Sequence, residues 1–133
     1  MLAAVDPGRD KCGVAIASDT GNILWHEVIK TESLAATLAR LKEKYNFKKL
    51  VIGNGTTSKD AQQKINSSQL ALEINVVDEY RTTDMARKLY WKLNPPTGLK
   101  KLIPTSMQVP KVPVDDLVAV ILAKRFLGVS ENE

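Results

Sequence analysis

Residues 3–18 constrain this chain more than any other stretch. Two apolar runs, Ala3-Ala4-Val5 and Gly13-Val14-Ala15-Ile16-Ala17, flank the polar segment Asp6-Pro7-Gly8-Arg9-Asp10-Lys11. Runs this short, bounded by turn residues, read as two strands joined by a hairpin. Pro7 fixes φ and Gly8 reaches conformations other residues avoid, so both belong to the turn. The apolar run ahead of Asp6 suits a strand buried on both faces, which leaves Asp6 at its rim. Gly13 opens the second strand, where a missing side chain lets another backbone or a ligand come close. On this stretch alone Asp6 is either a turn-forming residue or a metal ligand, and both readings stand.

A chain of 133 residues is expected to form one domain, residues 1–133, with a core that needs no staples. Hydrophobic residues at 44% and charged residues at 26% are ordinary for a globular protein. The 19 Lys and Arg against 15 Asp and Glu leave a net charge of +4, a mild lean toward an anionic partner. The single Cys12 excludes an internal disulfide and a thiolate zinc site, and its apolar surroundings make it a small core residue. No secretory leader pattern and no apolar run of membrane-spanning length is found, so the expectation is a cytoplasmic protein with no membrane partner.

Along the chain, the turn Asp19-Thr20-Gly21-Asn22 leads into a third strand over residues 23–30, completing a meander. His26 lies in that strand and is read as a structural residue. Leu34, Leu38, Leu41 and Tyr45 recur at helical spacing over residues 32–45. A buried strand over 49–53 exits through Gly53-Asn54-Gly55-Thr56-Thr57-Ser58-Lys59 into a helix over 58–68. Such a loop either offers backbone N–H groups to an anion at the helix N-terminus or simply caps the helix; Walker spacing is absent. A strand over 73–78 ends in Asp78-Glu79-Tyr80-Arg81-Thr82-Thr83, with Thr82 or Thr83 expected to cap the next helix.

That helix, running to about Leu93, is expected to bury Met85, Ala86, Leu89, Tyr90 and Leu93 and to expose Arg87, Lys88 and Lys92. Trp91 reads as core packing or as a base-stacking residue. The proline-rich connection 94–113 carries Lys100, Lys101 and Lys111, and loops of this length tend to be functional. A last helix begins at Val114-Asp115-Asp116 and stops at the C-cap Gly128. A meander followed by two β–α units gives a mixed α/β sheet: strands 1–3 antiparallel, strands 4–5 parallel to a central strand 1, helices on both faces.

In that topology Asp6, Glu79 and Asp115 can meet at one sheet edge. Three uncompensated carboxylates raise one another's pKa, and a hard divalent cation relieves the repulsion, with oxygen ligands suiting Mg²⁺ or Mn²⁺. Such a centre polarises a phosphodiester and activates water. Arg9, Lys11 and Arg81 lie near the same edge as candidate contacts to a sugar-phosphate backbone. Asp115 also reads as an N-cap, and Asp116 can take either role.

Four blocks occur in order: Asp6 to Gly13, Val51 to Thr57, Asp78 to Thr83 and Val114 to Leu122. Together they resemble the YqgF/RuvX family, relatives of the RuvC Holliday-junction resolvases with a ribonuclease H-like fold. The Gly53-Asn54-Gly55-Thr56 block is more similar to the YqgF-like domain of the Tex transcription-associated proteins, which marks a divergent branch. The resemblance implies Asp6, Glu79 and Asp115 as catalytic, metal-binding residues. It implies a nuclease of structured RNA or branched DNA, with ribosomal RNA precursor processing as one setting. Val118 stands where RuvC has a fourth acidic residue, a departure from four-carboxylate chemistry. The oligomeric state, monomer or homodimer, stays open. The rival reading is a non-catalytic nucleic-acid-binding module of the same fold. A sugar-kinase-like phosphotransferase would need a second lobe that 133 residues do not supply.

Overall fold

The structure is a computed structural model that describes residues 1–108, 110 and 112–130. Its elements run β1 (Leu2–Asp6), β2 (Lys11–Ala17), β3 (Ile23–Lys30), α1 (Leu34–Tyr45), β4 (Lys49–Gly53), α2 (Ser58–Ser67), β5 (Glu73–Val77), α3 (Thr82–Leu93) and α4 (Asp115–Leu127). The five strands form one sheet in the order β3-β2-β1-β4-β5. β1 pairs antiparallel with β2 and parallel with β4, and β4 pairs parallel with β5. The expected ribonuclease H-like order, with the first strand central, is the one observed.

Alternation along β1 explains the two cores. Ala3 and Val5 face one side with Val14, Ile16, Leu50 and Ile52, under α1 and α2. Leu2 and Ala4 face the other with Ala15, Ala17 and Val51, under α3 and α4. Leu117 to Lys124 on α4 are all buried, because the helix lies between the sheet and α3 and has almost no wet face. Small residues on β1 and β2, chiefly Ala4, Ala15 and Ala17, let α4 settle close to the sheet. Among the described residues no helix is long and apolar enough to cross a membrane.

Several local expectations give way to packing. Residues 31–33 form a 3-10 turn, so α1 begins at Leu34 rather than at Glu32. Neither Thr82 nor Thr83 caps α3: Arg81 occupies that position in a left-handed conformation, φ 58°, and Thr82 opens the helix. Leu93 is 59% exposed rather than inward, since α3 outruns its cover at that end. The connection after α3 is more regular than its prolines suggest, with 3-10 turns at Gly98–Leu102 and Thr105–Met107. Lys111 lies outside the described residues. Gly128 closes α4 with φ 72°, as its place in the sequence implies.

Candidate active site at the rim of the sheet

Three elements end at one edge of the sheet, and each delivers a carboxylate. Asp6 is the last residue of β1, paired across the sheet with Gly13. Glu79 follows β5 by two residues, and Asp115 is the first residue of α4. Glycines make the approach possible. A Cβ on Gly13 would run into the backbone of Asp115 and Asp116, and one on Gly53 would run into the Glu79 carboxylate. Gly13 therefore admits another backbone, the start of α4, while Gly53 and Gly55 admit a side chain.

Glu79 is held from four sides. Its N–H donates to Asn54 Oδ1 at 3.0 Å, and the Gly55 backbone donates to its carboxylate. Its carbonyl accepts from Thr82 Oγ1 at 2.9 Å and from the Thr82 N–H at 3.1 Å. Arg125, reaching across from α4, donates from Nη1 to the carbonyls of Asp78 and Tyr80, each at 2.9 Å. These bonds hold Arg81 in its left-handed conformation, which costs an arginine roughly 1–2 kcal/mol. The 53–59 loop gives one backbone N–H, that of Gly55, to the Glu79 carboxylate, from a position ahead of α2.

The electrostatics single out Asp6. Burial, then the charges of Glu79 and Asp115, push its carboxyl up from 3.8 to about 8. Asp6 and Glu79 are hydrogen-bond neighbours, and two carboxyls keep that contact only with a proton between them. Glu79 is also raised, chiefly by burial, with the Gly55 N–H and Asp6 opposing the shift. Its Oε1 is buried with no N–H or hydroxyl partner among the described residues. Asp115 is raised by burial and by Asp116 beside it, and the Lys11 charge opposes this.

A bare, buried carboxylate oxygen beside a carboxyl driven to hold a proton near neutral pH suits a hard cation, and an all-oxygen donor set suits Mg²⁺ or Mn²⁺. Asp115 acts on Asp6 through its charge. Among the described residues no three His, Cys, Asp or Glu side chains converge tightly enough to form a ready-made cage.

Asp115 is not the cap of α4; that position is Val114, without a side-chain bond. Asp116 is engaged elsewhere: Oδ2 meets His26 Nδ1 at 2.7 Å and Oδ1 accepts from the Leu117 N–H at 3.0 Å. Of the two adjacent aspartates, Asp115 is thus the one turned toward Asp6. His26, read as a plain strand residue, ties β3 to the start of α4, and no motif of local spacing signals a partner 90 residues away.

The candidate cations are spread along the same edge. Arg9 stands exposed on the β1–β2 hairpin, Lys11 starts β2, and Arg81 is exposed between Glu79 and α3. Arg125 was missed because an arginine in the last turn of a helix reads as a partner of that helix's own dipole. Cys12 is a buried free thiol in the core, 3.3 Å from Thr31 Oγ1.

A central strand ending in an acidic residue, β3-β2-β1-β4-β5 order and a last helix returning with a second carboxylate define a nuclease-like fold of the RuvC type. The chain superposes on Thermus thermophilus RuvC with a TM-score of 0.52 at 12% identity, covering 96% of this chain and 94% of that one. Against T. thermophilus RuvC in complex with a Holliday junction substrate the TM-score is 0.55 at 10% identity, covering 92% and 88%. In sequence, residues 1–88 match the family model of the Tex protein YqgF-like domain, and the chain belongs to that family. It is also 28% identical over 136 aligned positions to the uncharacterized protein YdcI of Bacillus subtilis strain 168, covering 94% of this chain but 17% of that protein. The chain thus spans about a sixth of its curated relative's length.

Proposed function

We propose that residues 1–133 form a single divalent-metal-dependent nuclease domain that hydrolyses phosphodiester bonds in structured RNA or branched DNA. The observation that carries this reading is the Asp6–Glu79 pair, with one carboxyl raised to about 8 and a buried oxygen of the other lacking a donor. Asp6, Glu79 and Asp115 are the residues that hold Mg²⁺ or Mn²⁺. A cation held by these carboxylates would supply Lewis-acid polarisation of the phosphodiester and activation of water. Asp6, at the end of the central strand, fixes the centre. The Gly53–Gly55 seat and Arg125 keep Glu79 aimed at it. Arg9, Lys11 and Arg81 neutralise backbone phosphates and set the position of the strand without reading sequence. Processing of ribosomal RNA precursors in the cytoplasm is a setting that fits this chemistry.

The second reading, a nucleic-acid-binding module without turnover, draws on the lack of a tight three-ligand cage among the described residues. One experiment separates the two. The protein and Asp6→Asn are incubated with a structured RNA and with a four-way DNA junction, in Mn²⁺ and in chelator. Cleavage in Mn²⁺ that is lost in chelator and in Asp6→Asn supports the nuclease. Binding by both proteins without cleavage under any condition refutes the nuclease and leaves the module.

A further inference from the structure

The acidic rim accounts for Arg81 but not for the surface that continues from it. Residues 81–108 carry six Lys and Arg against Asp84 alone, an excess of five that is larger than the net +4 of the whole chain. Arg81, Arg87, Lys88, Lys100 and Lys101 are all exposed. All but Lys101, which follows Lys100 in the chain, line two adjoining hollows that share Trp91 and Gln108 as a common wall. The nearer one, about 250 Å³, is lined by Arg81, Arg87 and Lys88 with Asp84 among them. The farther one, about 500 Å³, is lined by Tyr90, Pro95, Pro96, Leu99 and Lys100. Trp91 is half-buried between them, edge to face with Tyr90 at 5.0 Å; its Nε1–H points into the protein, where it is buried and meets no acceptor among the described residues.

The pattern is specific in its chemistry. Exposed cations follow one edge of a groove whose floor is aromatic and apolar, and the groove starts two residues from Glu79. A merely solvated helix face would balance its charges more evenly, whereas here Asp84 is the one acid among six cations, and it would not set a half-buried indole between two hollows. A duplex presents phosphates outward and keeps its bases stacked, so it meets cations but leaves an apolar floor empty. An unpaired strand offers both phosphates and base faces, the first to the cations and the second to the apolar and aromatic floor.

We propose that the groove along α3 and the 95–108 connection holds an unpaired nucleic-acid strand leading to or from the acidic rim, with Trp91 as the stacking platform. The inference rests on the nucleic-acid reading above and adds to it a strand path and a preference for unpaired substrate. Arg87, Lys88, Lys100 and Lys101 contact phosphates, and the Tyr90–Trp91–Leu99 floor takes a base.

Because binding is read without turnover, the test is run in chelator. In a Trp25→Phe background Trp91 is the only tryptophan, and its emission reports the groove directly. The probes are a short oligo(dT), the matching oligo(rU) and a blunt DNA duplex. The single strands are expected to shift Trp91 emission saturably and the duplex to leave it unmoved. Replacing Arg87, Lys88, Lys100 and Lys101 together with Ala should flatten the log–log salt slope by about 0.7 per lost contact on single strands. Trp91→Leu should weaken single-strand binding on the order of 10-fold, and Trp91→Phe should recover most of it.

The proposal is overturned if Trp91 emission stays fixed while the protein saturates with oligonucleotide, or if the duplex shifts it equally. It also fails if the four-fold variant keeps its slope while Arg9→Ala or Lys11→Ala loses slope; the nucleic-acid reading would then survive without the groove. Self-association that buries Trp91 and is abolished by Trp91→Leu would assign the face to a second copy instead. Failure of every probe to bind would remove both readings, whereas groove binding without cleavage in Mn²⁺ would remove the nuclease alone.

Discussion

At the rim, Glu79 is fixed by Asn54, Gly55, Thr82 and, through the flanking carbonyls, Arg125. A turn or two further on, Arg87 and Lys88 stand in solvent on α3. The two regions touch through Arg81 and follow opposite rules. The rim gathers like charges into a partly buried place and spends backbone bonds, glycine contacts and a strained arginine to keep them there. The α3 flank spreads unlike groups, cations and aromatics, over an open surface with few constraints. A centre that must position reacting atoms needs the first construction, and a surface that must guide a polymer of variable sequence is served by the second. Catalysis is therefore expected to be sensitive to single atoms at the rim, and binding to change in small increments along the flank.

The largest effect tests the rim itself. Asp6→Asn keeps the shape and removes a charge, so Mn²⁺-dependent cleavage should fall by on the order of 10³-fold or more. Affinity measured in chelator should be unchanged near neutral pH, where the metal-free Asp6 carboxyl already holds a proton, and should rise only above about pH 8, where the wild type becomes charged. A mutant that melts earlier yet cuts at the wild-type rate would reduce Asp6 to a turn residue.

Next comes pH. The folded Asp6 carboxyl is near 8 against an ordinary value of 3.8. Below about pH 4 both folded and unfolded chains hold this proton. Between 4 and 8 the unfolded chain releases it while the folded one keeps it, so the metal-free protein should lose stability as pH rises through that window. The loss should be on the order of a few kcal/mol, discounted for partial exposure. Melting curves across that window should show the decline, Mn²⁺ should reverse it at pH 8, and Asp6→Asn should flatten it. A metal-free protein of constant melting temperature would contradict the crowding of these carboxyls.

Gly53→Ala places a methyl where the Glu79 carboxylate sits. It should destabilise by about 1–3 kcal/mol and reduce cleavage more than it reduces nucleic-acid affinity, a split that titration and single-turnover kinetics would reveal. Equal losses of both would mean that the seat serves the fold rather than the site.

Arg125→Ala strips the hydrogen bonds from the Asp78 and Tyr80 carbonyls and should cost about 1–2 kcal/mol. Its sharper signature is kinetic: kcat should fall with KM nearly unchanged, and Arg125→Lys should restore part of it. Smallest is Arg81→Ala, which should reduce the salt slope by about 0.7–0.9 and, by easing φ 58° only slightly, leave stability within a few tenths of a kcal/mol. An unchanged slope would take Arg81 off the path that joins the two regions.

Local chemistry made the elements legible. Alternating and continuous apolar runs gave β1 to β5 because a strand's burial is written in consecutive residues, and the periodic leucines of α1 are written the same way. The order of those elements, a meander and then two β–α units, was enough for the sheet topology, since right-handed crossovers leave few alternatives. Asp6 and Glu79 were legible as polar residues at strand exits. Other features depend on contacts between distant parts of the chain. No local pattern tells that Gly13 exists for the start of α4, that Gly53 and Gly55 exist for Glu79, or that Asp116 is taken by His26. The same holds for Arg125, whose guanidinium serves a loop 45 residues earlier in the chain. Only the folded chain brings these groups within hydrogen-bond reach, and only burial there lifts the Asp6 carboxyl to about 8. The sequence determined which carboxylates reach the rim; the tertiary structure decided which of them are crowded, which is diverted, and what holds them, because desolvation and close contact are properties of the packed molecule.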